Sequence, residues 1–429
     1  MKKVNIALLG CGQVGTGLVK LLQQQRNFIE RRTGIRLRIK RILVRDSAKK
    51  RQVRISGITN NIRHILDDKD TDIAVELIGG IEPAHSYILK LLQSGKHVVT
   101  ANKAVLAHFG SEIQEVAQRM GREVYYEAAV CAGVPVIRSI KEGLLANHIS
   151  LLMGILNGTT NYILSRMSEE GISLNNALKQ AQQYGFAEPD PTMDIQGIDT
   201  AHKLNILASL SFGIKVRPQD IYTEGITGIE LEDIKNAMEF GHVIKLLAIG
   251  REIGHNKLEL KVHPAMIPKV HPLAAVRNEF NALYLHGDAV GKMMFYGKGA
   301  GPMPTASAIL SDIIELCTKS LTYSHQLSHF PNRGGSKRMI SIDETVSEHY
   351  LRFPIVDKPG VIGKIATILG SHNISIYGAT ASLVPVKRAL GNVRVLTKKS
   401  KESEIRKAIS EINRLPIMRG KAVMIRIEE

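Results

Sequence analysis

Four carboxylates and one lysine are crowded into a short segment of this 429-residue chain. Glu188, Asp190, Asp194 and Asp199 fall within twelve residues, and Lys203 follows Asp199 by four, which places these two on one face of a helix. A carboxylate beside a lysine either tunes the lysine for proton transfer or keeps it charged to polarise an oxygen. A solvated acidic loop that ends in an ordinary surface ion pair would give the same pattern.

A glycine-rich turn near residue 10 is the second sign of chemistry. An apolar run at residues 4–9 ends at GCGQVG (residues 10–15), and a helical pattern follows over residues 14–32. The order of strand, glycine turn and helix is typical of dinucleotide binding, because glycine lets backbone N–H groups approach a pyrophosphate at the helix N-terminus. A tight turn that merely needs glycine is the alternative. The predicted cofactor contacts here are Gly10, Gly12, Gln13, Val14 and Gly15.

The end of the next predicted strand, residues 39–44, bears on the choice of cofactor. It is followed by Arg45 and Asp46. A carboxylate at this point takes the ribose hydroxyls of NAD, whereas an arginine accepts the 2′-phosphate of NADP. Arg45 comes first, and Lys40 and Arg41 add positive potential, so we expect NADP, while use of both cofactors stays open.

The remaining N-terminal pattern alternates strands with helices. Strands are predicted at residues 73–78, 97–100 and 124–126. This alternation predicts an α/β, doubly wound parallel sheet that binds ligands beyond the carboxyl ends of its strands. Gly79 and Thr100 lie at such ends and are predicted cofactor contacts. Lys103 follows closely and is either a surface lysine or a cation aimed into the cleft.

Composition limits the partners of the chain. The formal net charge is +17, from 57 Lys and Arg against 40 Asp and Glu, which favours anionic partners such as phosphates. The basic residues are scattered, aromatic residues make up only 5% and tryptophan is absent, so we expect no nucleic acid. The three cysteines are far apart and form no metal or redox spacing, and no apolar stretch is long enough for a membrane, so we expect a soluble cytoplasmic protein.

Three folding regions are predicted. The NAD(P)-binding domain covers residues 1–131 and is completed by a return helix at about 302–325, which follows a loop containing Gly297, Gly299 and Gly301. An α+β domain for substrate binding and dimerisation covers residues 132–301, with strands at 257–262 and 281–286. A polar, glycine-rich linker at residues 330–348 leads to a C-terminal domain at 349–429.

The C-terminal pattern is a small unit of its own. Its predicted order is a strand at 350–356, a turn at 357–360, a helix at 361–372, strands at 374–381 and 393–397, a helix at 402–415 and a strand at 423–427. This βαββαβ order is ferredoxin-like. We interpret the charge run KKSKESEIRK (398–407) as the solvated face of the second helix.

Four segments together resemble the homoserine dehydrogenase family. They are VVTANKA (98–104), GILNGTTNYIL (154–164), YGFAEPDPTMDIQGIDTAHK (184–203) and GDAVGKMMFYGKGAGPMPTASA (287–308). The resemblance runs in order over residues 1–330 and is most specific at 184–203. Residues 350–429 resemble an ACT domain, an amino-acid-sensing module, through DKPGVIGKIATIL (357–369). The family interconverts L-homoserine and L-aspartate 4-semialdehyde with NAD(P)(H), toward threonine, methionine and isoleucine.

The resemblance assigns roles to individual residues. It implies that Lys203, Lys103 and Asp199 are catalytic, that Lys103 also faces the nicotinamide, and that Gly299 contacts the cofactor. It implies that Glu188, Asp194 and Gly185 bind the amino acid substrate. It further implies a sodium ion held by Glu127 and the carbonyls of Val130, Ala132 and Val134. Ala132 stands where the family often has glycine, and Cys11 and Gln13 are unusual in the glycine turn.

The ACT-like unit implies regulation. The predicted ligand site is the turn from Asp357 through Gly360 to Val361, with Asn373 at the far end of the helix; threonine is the expected effector. Pairing of such units implies a homodimer or homotetramer, and a unit kept only for assembly is the alternative. Two other functions stay open: an NAD(P)-dependent oxidoreductase for another amino acid semialdehyde, and a non-catalytic amino acid sensor.

Overall fold

The chain forms two compact units, each built from separated segments. The computed structural model describes residues 2–49, 51, 53, 56–254, 256–319, 337–383 and 390–429. Of these, residues 2–152, 199–221 and 280–319 belong to the first unit, and the remainder belong to the second.

The first unit contains the predicted parallel sheet. Its strands are β1 (Lys2–Leu9), β2 (Ile35–Leu43), β3 (Ile58–Thr59), β4 (Ile73–Glu76), β5 (His97–Thr100) and β6 (Val124–Tyr125). The helices between them are α1 (Gln13–Thr33), α2 (Arg63–Leu66), α3 (Ala84–Gln93) and α4 (Lys103–Arg119). The strand order is β3-β2-β1-β4-β5-β6 and every pairing is parallel, so the doubly wound α/β sheet is confirmed.

A late helix closes the core of this sheet. Helix α11 (Pro302–Lys319) contributes Ala306, Ile309, Ile313 and Leu316 to the apolar cluster that contains β1 and α1. It lies so close to α1 that a Cβ on Gly17 would come within 3.0 Å of the Pro302 carbonyl oxygen. The predicted return helix therefore exists and begins at Pro302, while residues 320–325 of that prediction lie outside the described residues.

The rest of the first unit carries α5 (Val136–Arg138), α9 (Ile198–Phe212) and an antiparallel hairpin of β11 (Phe280–Gly287) and β12 (Gly291–Lys298). The strand β7 (Ile149–Ile155) leads the chain into the second unit. The predicted loop around Gly297 is wrong at that residue, because Gly297 pairs with Asn281 as part of β12.

The second unit combines helices with a mostly antiparallel sheet. Its elements before residue 280 are α6 (Gly158–Glu170), α7 (Leu174–Gln183), α8 (Thr192–Ile195), β8 (Tyr222–Thr223), α10 (Leu231–Glu239), β9 (His242–Ile253) and β10 (Lys257–Pro268). From residue 337 they are β13 (Arg338–Met339), β14 (Val346–Val356), α12 (Val361–Ser371), β15 (Ile376–Leu383), β16 (Leu390–Lys401), α13 (Glu402–Ile412) and β17 (Val423–Ile427). The fold is thus a mixed α/β fold with a second sheet.

The predicted βαββαβ order is present from β14 to β17, with strand order β17-β14-β16-β15. The sequence did not indicate how this sheet continues: β17 pairs in parallel with β10, with Ala265 opposite Arg426. Beside that junction, the buried Glu428 carboxylate lies 2.6 Å from Lys261 Nζ. Part of the predicted linker also joins the sheet, since Arg338 in β13 pairs with Lys257.

One interpretation was wrong and one strand was missed. Residues 398–401 of the charge run belong to β16 and not to the helix, which begins at Glu402 as predicted. The long strand β9 was not predicted at all, because it is buried over seven consecutive residues and lacks the alternation that marks a half-buried strand. No helix of the described part of the chain is long and apolar enough to cross a membrane.

Candidate active site

A buried carboxylate between two lysines is the centre of the candidate site in the first unit. Asp199 Oδ1 lies 2.8 Å from Lys103 Nζ, and its Oδ2 lies 2.8 Å from Lys203 Nζ. Burial by itself would raise the pKa of Asp199, but the charges of Lys203 and Lys103 outweigh it and hold that pKa well below its usual value. The cluster therefore carries two ammonium groups against one carboxylate.

Local structure explains how these three side chains meet. Asp199 is in the first turn of α9, where the helix dipole favours a negative charge, and Lys203 follows one turn later. Lys103 is the first residue of α4, a place where the dipole disfavours a cation, so the Asp199 carboxylate offsets that cost. The predicted catalytic residues Lys203, Lys103 and Asp199 are thus brought together.

A chain of hydrogen bonds fixes the start of α4. The buried Glu76 accepts a hydrogen bond from Thr100 Oγ1 at 2.6 Å, and Thr100 Oγ1 accepts one from the backbone of Asn102 at 3.0 Å. Asn102 then caps α4 by accepting from the Val105 backbone. Thr100, a predicted cofactor contact, is completely buried here, so its side chain supports α4. Glu76 was not predicted from the sequence, where the only indication of its role is an acidic residue within an otherwise apolar strand.

Two histidines adjoin the lysine cluster and were also missed. The ring of His202 lies edge-on to that of His108, with centroids 5.3 Å apart. Burial and the neighbouring His108 lower the pKa of His202 to about 4, so His202 is neutral at physiological pH. It adds no charge beside Lys203.

A cavity of about 800 Å³ lies at the glycine turn of the first unit. Its lining residues include Gly10, Gly12, Arg45, Asp46, Lys49, Arg51, Leu77, Ile78 and Tyr87. A Cβ on Gly10 would lie 2.6 Å from the Leu77 carbonyl oxygen, whereas one on Gly12 would meet nothing within 4 Å. Gly10 is therefore required by the turn, and Gly12 leaves open space toward the cavity.

The charges around this cavity differ from those expected. Lys40 Nζ lies 2.8 Å from the Asp68 carboxylate, and Arg41 lies 3.5 Å from the same carboxylate. Both charges are therefore neutralised and add no positive potential to the cavity. Lys49 and Arg51 line it instead, together with Arg45. Sequence analysis missed both, because they follow the strand in an irregular segment without periodicity.

The other predicted cofactor residues do not line this cavity. Gln13 begins α1, Val14 packs partly into the core, and a Cβ on Gly15 would lie 2.6 Å from the Gly10 carbonyl oxygen. Gly79 has a positive φ of 79° with open space around it. Gly299 has no such space, since a Cβ there would lie 2.0 Å from the Asn281 side chain.

The predicted metal residues form a tight turn in the first unit. The buried carboxylate of Glu127 accepts backbone hydrogen bonds from Ile137 at 2.9 Å and Arg138 at 2.8 Å. Burial raises the pKa of Glu127. Ala132 has a φ of 24°, a left-handed value that glycine adopts more easily, which is the strain expected from alanine at this position. Val130 and Val134, which flank it, are buried.

The carbonyl of Val134 also accepts a hydrogen bond from Val136 at 2.8 Å, which leaves its second lone pair for another partner. No group of three or more His, Cys, Asp or Glu side chains among the described residues is arranged to hold a metal ion. A cation at this turn would therefore depend on backbone oxygens.

The predicted substrate residues lie in the second unit. Asp194 in α8 accepts a hydrogen bond from Asn157 Nδ2 at 2.7 Å, while Glu188 is exposed. Gly185 has a φ of 75° and no neighbour where a Cβ would be, so it serves the turn before the acidic loop. Asn157 was not predicted; it caps α6 through its bond from the Thr160 backbone and thereby ties the GILNGTTNYIL segment to the acidic loop.

A buried lysine supports the same helix. Lys245 in β9 donates to Asn161 Oδ1 at 2.9 Å and to the Val276 carbonyl oxygen at 2.5 Å. Burial lowers the pKa of Lys245 to about 8. No sequence signal pointed to Lys245, because its strand was not predicted.

The predicted regulatory residues also lie in the second unit. Gly360 has a φ of 83° and precedes α12, Val361 is buried in the core of this unit, and Asp357 is exposed in the turn. Asn373 has a φ of 57° where the helix ends. The turn is therefore built as predicted, with Asn373 at the opposite end of α12.

Comparison with known proteins gives two family matches. A family described as "Homoserine dehydrogenase" matches residues 135–314, and one described as "Homoserine dehydrogenase, NAD binding domain" matches residues 10–127. A homoserine dehydrogenase of Bacillus subtilis is 37% identical, over 100% of this chain and 99% of its own length.

Solved structures of homoserine dehydrogenases are also similar to this chain. The homoserine dehydrogenase of Thiobacillus denitrificans has a TM-score of 0.94 and 39% identity, covering 100% of this chain and 99% of its own. A hyperthermophilic archaeal homoserine dehydrogenase in complex with NADPH has a TM-score of 0.63 and 26% identity, covering 74% of this chain and 98% of its own.

The protonation of Lys245 gives a testable pH dependence. Its pKa in the folded state is below that of an unfolded lysine, so the unfolded state binds more protons between the two values and stability rises with pH there. We expect the stability of the wild type relative to Lys245→Met to increase by about 1–3 kcal/mol between about pH 8 and about pH 10. Urea unfolding at both pH values measures it. The exposed Lys235→Met is the control, and a wild-type difference from Lys245→Met that does not change with pH would refute a buried, readily deprotonated lysine.

Proposed function

The chain belongs to the homoserine dehydrogenase family, and we propose that its lysine–aspartate cluster carries the chemistry of that enzyme. It is an NAD(P)-dependent oxidoreductase of amino-acid biosynthesis. The substrates proposed for it are L-homoserine and L-aspartate 4-semialdehyde, on the route to threonine, methionine and isoleucine. The observation that carries the assignment is the contact of Asp199 with both Lys103 and Lys203 at 2.8 Å.

The cluster suits the oxygen atom that changes during this reaction. Oxidation of the alcohol removes the hydroxyl proton as the hydride leaves, and reduction of the aldehyde returns both. The hydride is the chemistry that the nicotinamide supplies when it is bound. Lys203 exchanges the proton with the substrate oxygen, and the net positive charge of the cluster stabilises negative charge developing there. Asp199 orients both ammonium groups.

We assign the ammonium group of the substrate to Glu188 and Asp194. This assignment rests on the resemblance to the family and on the bond from Asn157, which fixes one oxygen of Asp194 and directs the carboxylate. Gly185 contributes the turn that begins this loop.

Replacing the lysine tests the assignment. Lys203→Met should lower kcat by about 10²–10⁴-fold, because a positioned acid–base group is lost, and should leave the dissociation constant of the cofactor nearly unchanged. Steady-state oxidation of homoserine and a cofactor titration measure the two quantities. Lys215→Met, which changes an exposed lysine of the same unit, should retain full activity. A Lys203→Met enzyme with near wild-type kcat would contradict the role of Lys203.

For the cofactor we propose a preference for NADP over NAD. Arg45, Lys49 and Arg51 line the cavity at the glycine turn and together suit a 2′-phosphate. Asp46, the residue that would favour NAD, accepts a hydrogen bond from the Ala48 backbone at 2.8 Å. The archaeal relative solved with NADPH supports the same choice.

Removing one guanidinium tests this preference. Arg45→Ala should raise the KM for NADP by about tenfold or more, since a charged hydrogen bond is lost, and should hardly alter the KM for NAD. Arg38→Ala removes an exposed arginine of β2 that does not line the cavity and should change neither value. Equal effects of Arg45→Ala on both cofactors would show that Arg45 does not read the 2′-phosphate.

We also propose a sodium ion at the turn that contains Glu127. The carboxylate of Glu127 and the carbonyls of Val130, Ala132 and Val134 are hard oxygen donors of the kind that such a cation takes. The φ of Ala132 is left-handed, which is strained for alanine. Strained backbone of this kind is concentrated at functional sites, which supports a ligand at this turn. The ion would stabilise this turn and takes no part in the hydride step.

For the C-terminal part we propose an ACT-type regulatory unit that binds threonine at Asp357–Val361, with Asn373 contributing from the other end of α12. The element order and the open left-handed Gly360 support this proposal. Assembly into a homodimer or homotetramer accompanies it. A cytoplasmic location is consistent with the three free thiols.

A point substitution tests regulation better than a deletion does, because a deletion would remove Glu428, the ion-pair partner of the buried Lys261, and the strand that pairs with β10 at Ala265. Millimolar threonine should inhibit the wild type, and Asp357→Asn should weaken that inhibition by about tenfold, because the turn loses a charged partner. Asp343→Asn changes an exposed acid outside the turn and is the control. If threonine does not inhibit the wild type, the regulatory proposal is wrong and the unit serves assembly only.

A further inference from the structure

Glu76 is a completely buried acid at the carboxyl end of β4, and the proposed chemistry gives it no role. Burial raises its pKa, and hydrogen bonds from four neutral donors oppose that rise. The donors are the side chains of Thr100 and Asn102 and the backbone groups of Ile78 and Gly79. A buried carboxylate held by neutral donors is costly, and an apolar side chain at this place in the strand would avoid the cost. The positions of the donors indicate what the carboxylate does.

The two oxygens of this carboxylate bind two different loops. Oε1 accepts a hydrogen bond from the Ile78 backbone at 2.7 Å, in the turn that follows β4. Oε2 accepts one from Thr100 Oγ1 at 2.6 Å, at the carboxyl end of β5. Since β4 and β5 are paired neighbours, Glu76 bridges the loops at the ends of two adjacent parallel strands.

The first of these loops borders the cavity at the glycine turn. Leu77 and Ile78 both line that cavity. The Leu77 backbone donates to the Leu9 carbonyl oxygen at 2.8 Å, and the Leu77 carbonyl oxygen is the atom that a Cβ on Gly10 would meet. The hydrogen bond from Ile78 to Glu76 therefore fixes one wall of the cavity.

The second loop leads to Lys103. Thr100 Oγ1 accepts a hydrogen bond from the backbone of Asn102, and Asn102 is the N-cap of α4, whose first residue is Lys103. The Asn102 side chain also donates to the Gly80 carbonyl oxygen at 2.7 Å, which is a second link between the two loops. The position of Lys103 thus depends on these hydrogen bonds as well as on its contact with Asp199.

We propose that Glu76 is a positioning residue for the reaction: it holds the wall of the cofactor cavity and the start of α4 as one rigid element, so that Lys103 is fixed relative to the cofactor. The catalytic role of Lys103 is the one proposed above, and this inference rests on it. Because Glu76 is completely buried, it acts through Thr100 and Asn102. A displacement of a reacting group by about 1 Å can cost about 10²-fold in rate, which is the loss that such a residue prevents.

Substitutions at both ends of the bridge test the inference in the full-length protein. Glu76→Gln keeps the size of the side chain, but an amide nitrogen replaces one acceptor, so one of the two donors loses its partner. Thr100→Val removes the hydroxyl at nearly constant size, whereas Thr100→Ser retains it. Glu115→Gln changes an exposed acid of α4 and is the matched control. For each variant, kcat of homoserine oxidation, the dissociation constant of NADP and the melting temperature are measured.

We expect Glu76→Gln and Thr100→Val each to lower kcat about tenfold to a hundredfold, because the start of α4 is no longer held. Thr100→Val should leave the dissociation constant of NADP nearly unchanged, since the bond from Ile78 to Glu76 remains. Thr100→Ser should recover most of kcat, and Glu115→Gln should match the wild type. Variants that melt at a lower temperature but keep a wild-type kcat would give Glu76 a purely structural role and overturn the inference. The two substitutions of Thr100 decide the same question if Glu76→Gln does not fold.

A double-mutant cycle tests whether Glu76 acts through Lys103. In a Lys103→Met background, Glu76→Gln should lower kcat by no more than about twofold, since the group that Glu76 positions is already gone. A further loss in that background as large as in the wild type would overturn the inference. If Lys103→Met loses activity while Glu76→Gln and Thr100→Val do not, this inference fails and the proposed function stands. If Lys103→Met keeps a wild-type kcat, the proposed role of Lys103 fails and this inference fails with it.

Discussion

The candidate active site depends on the Asp199 carboxylate, which is buried and would be costly there without both of its lysines. Each lysine comes from a different helix, so the pairing fixes the start of α4 against the first turn of α9. The hydrogen bonds that link Glu76, Thr100 and Asn102 fix the same helix start, because Asn102 is the N-cap of α4. Two ion pairs to one carboxylate thus set the positions of both lysines.

The sequence was informative wherever local pattern and tertiary structure agree. The glycine turn and the pairing of Asp199 with Lys203 could be predicted, because each is encoded within a few residues. The parallel sheet could be predicted from the alternation of strands and helices along the chain. The family resemblance implied a catalytic role for both Asp199 and Lys103, but their contact was not predicted. Lys245 could not be predicted from the sequence, since β9 is buried on both faces and reads like a core helix.

The predicted length of β10 was wrong for a different reason. The strand predicted at residues 257–262 runs on to Pro268, with Pro264 opposite Leu246 in the antiparallel pair. A proline removes only its own N–H donor, and the pairing continues on either side. The same strand then receives β17, so residues more than 150 positions apart share one sheet. Contacts of that range leave no trace in a local pattern.

The closing helix α11 has a consequence for biosynthesis. Its apolar face completes a core whose other walls, β1 and α1, are made from residues 2–33. A ribosome adding 5–20 residues per second needs roughly 15–60 s to travel from one to the other. For that time the apolar side of the nascent sheet is uncovered, which favours capture by a chaperone or by another nascent chain.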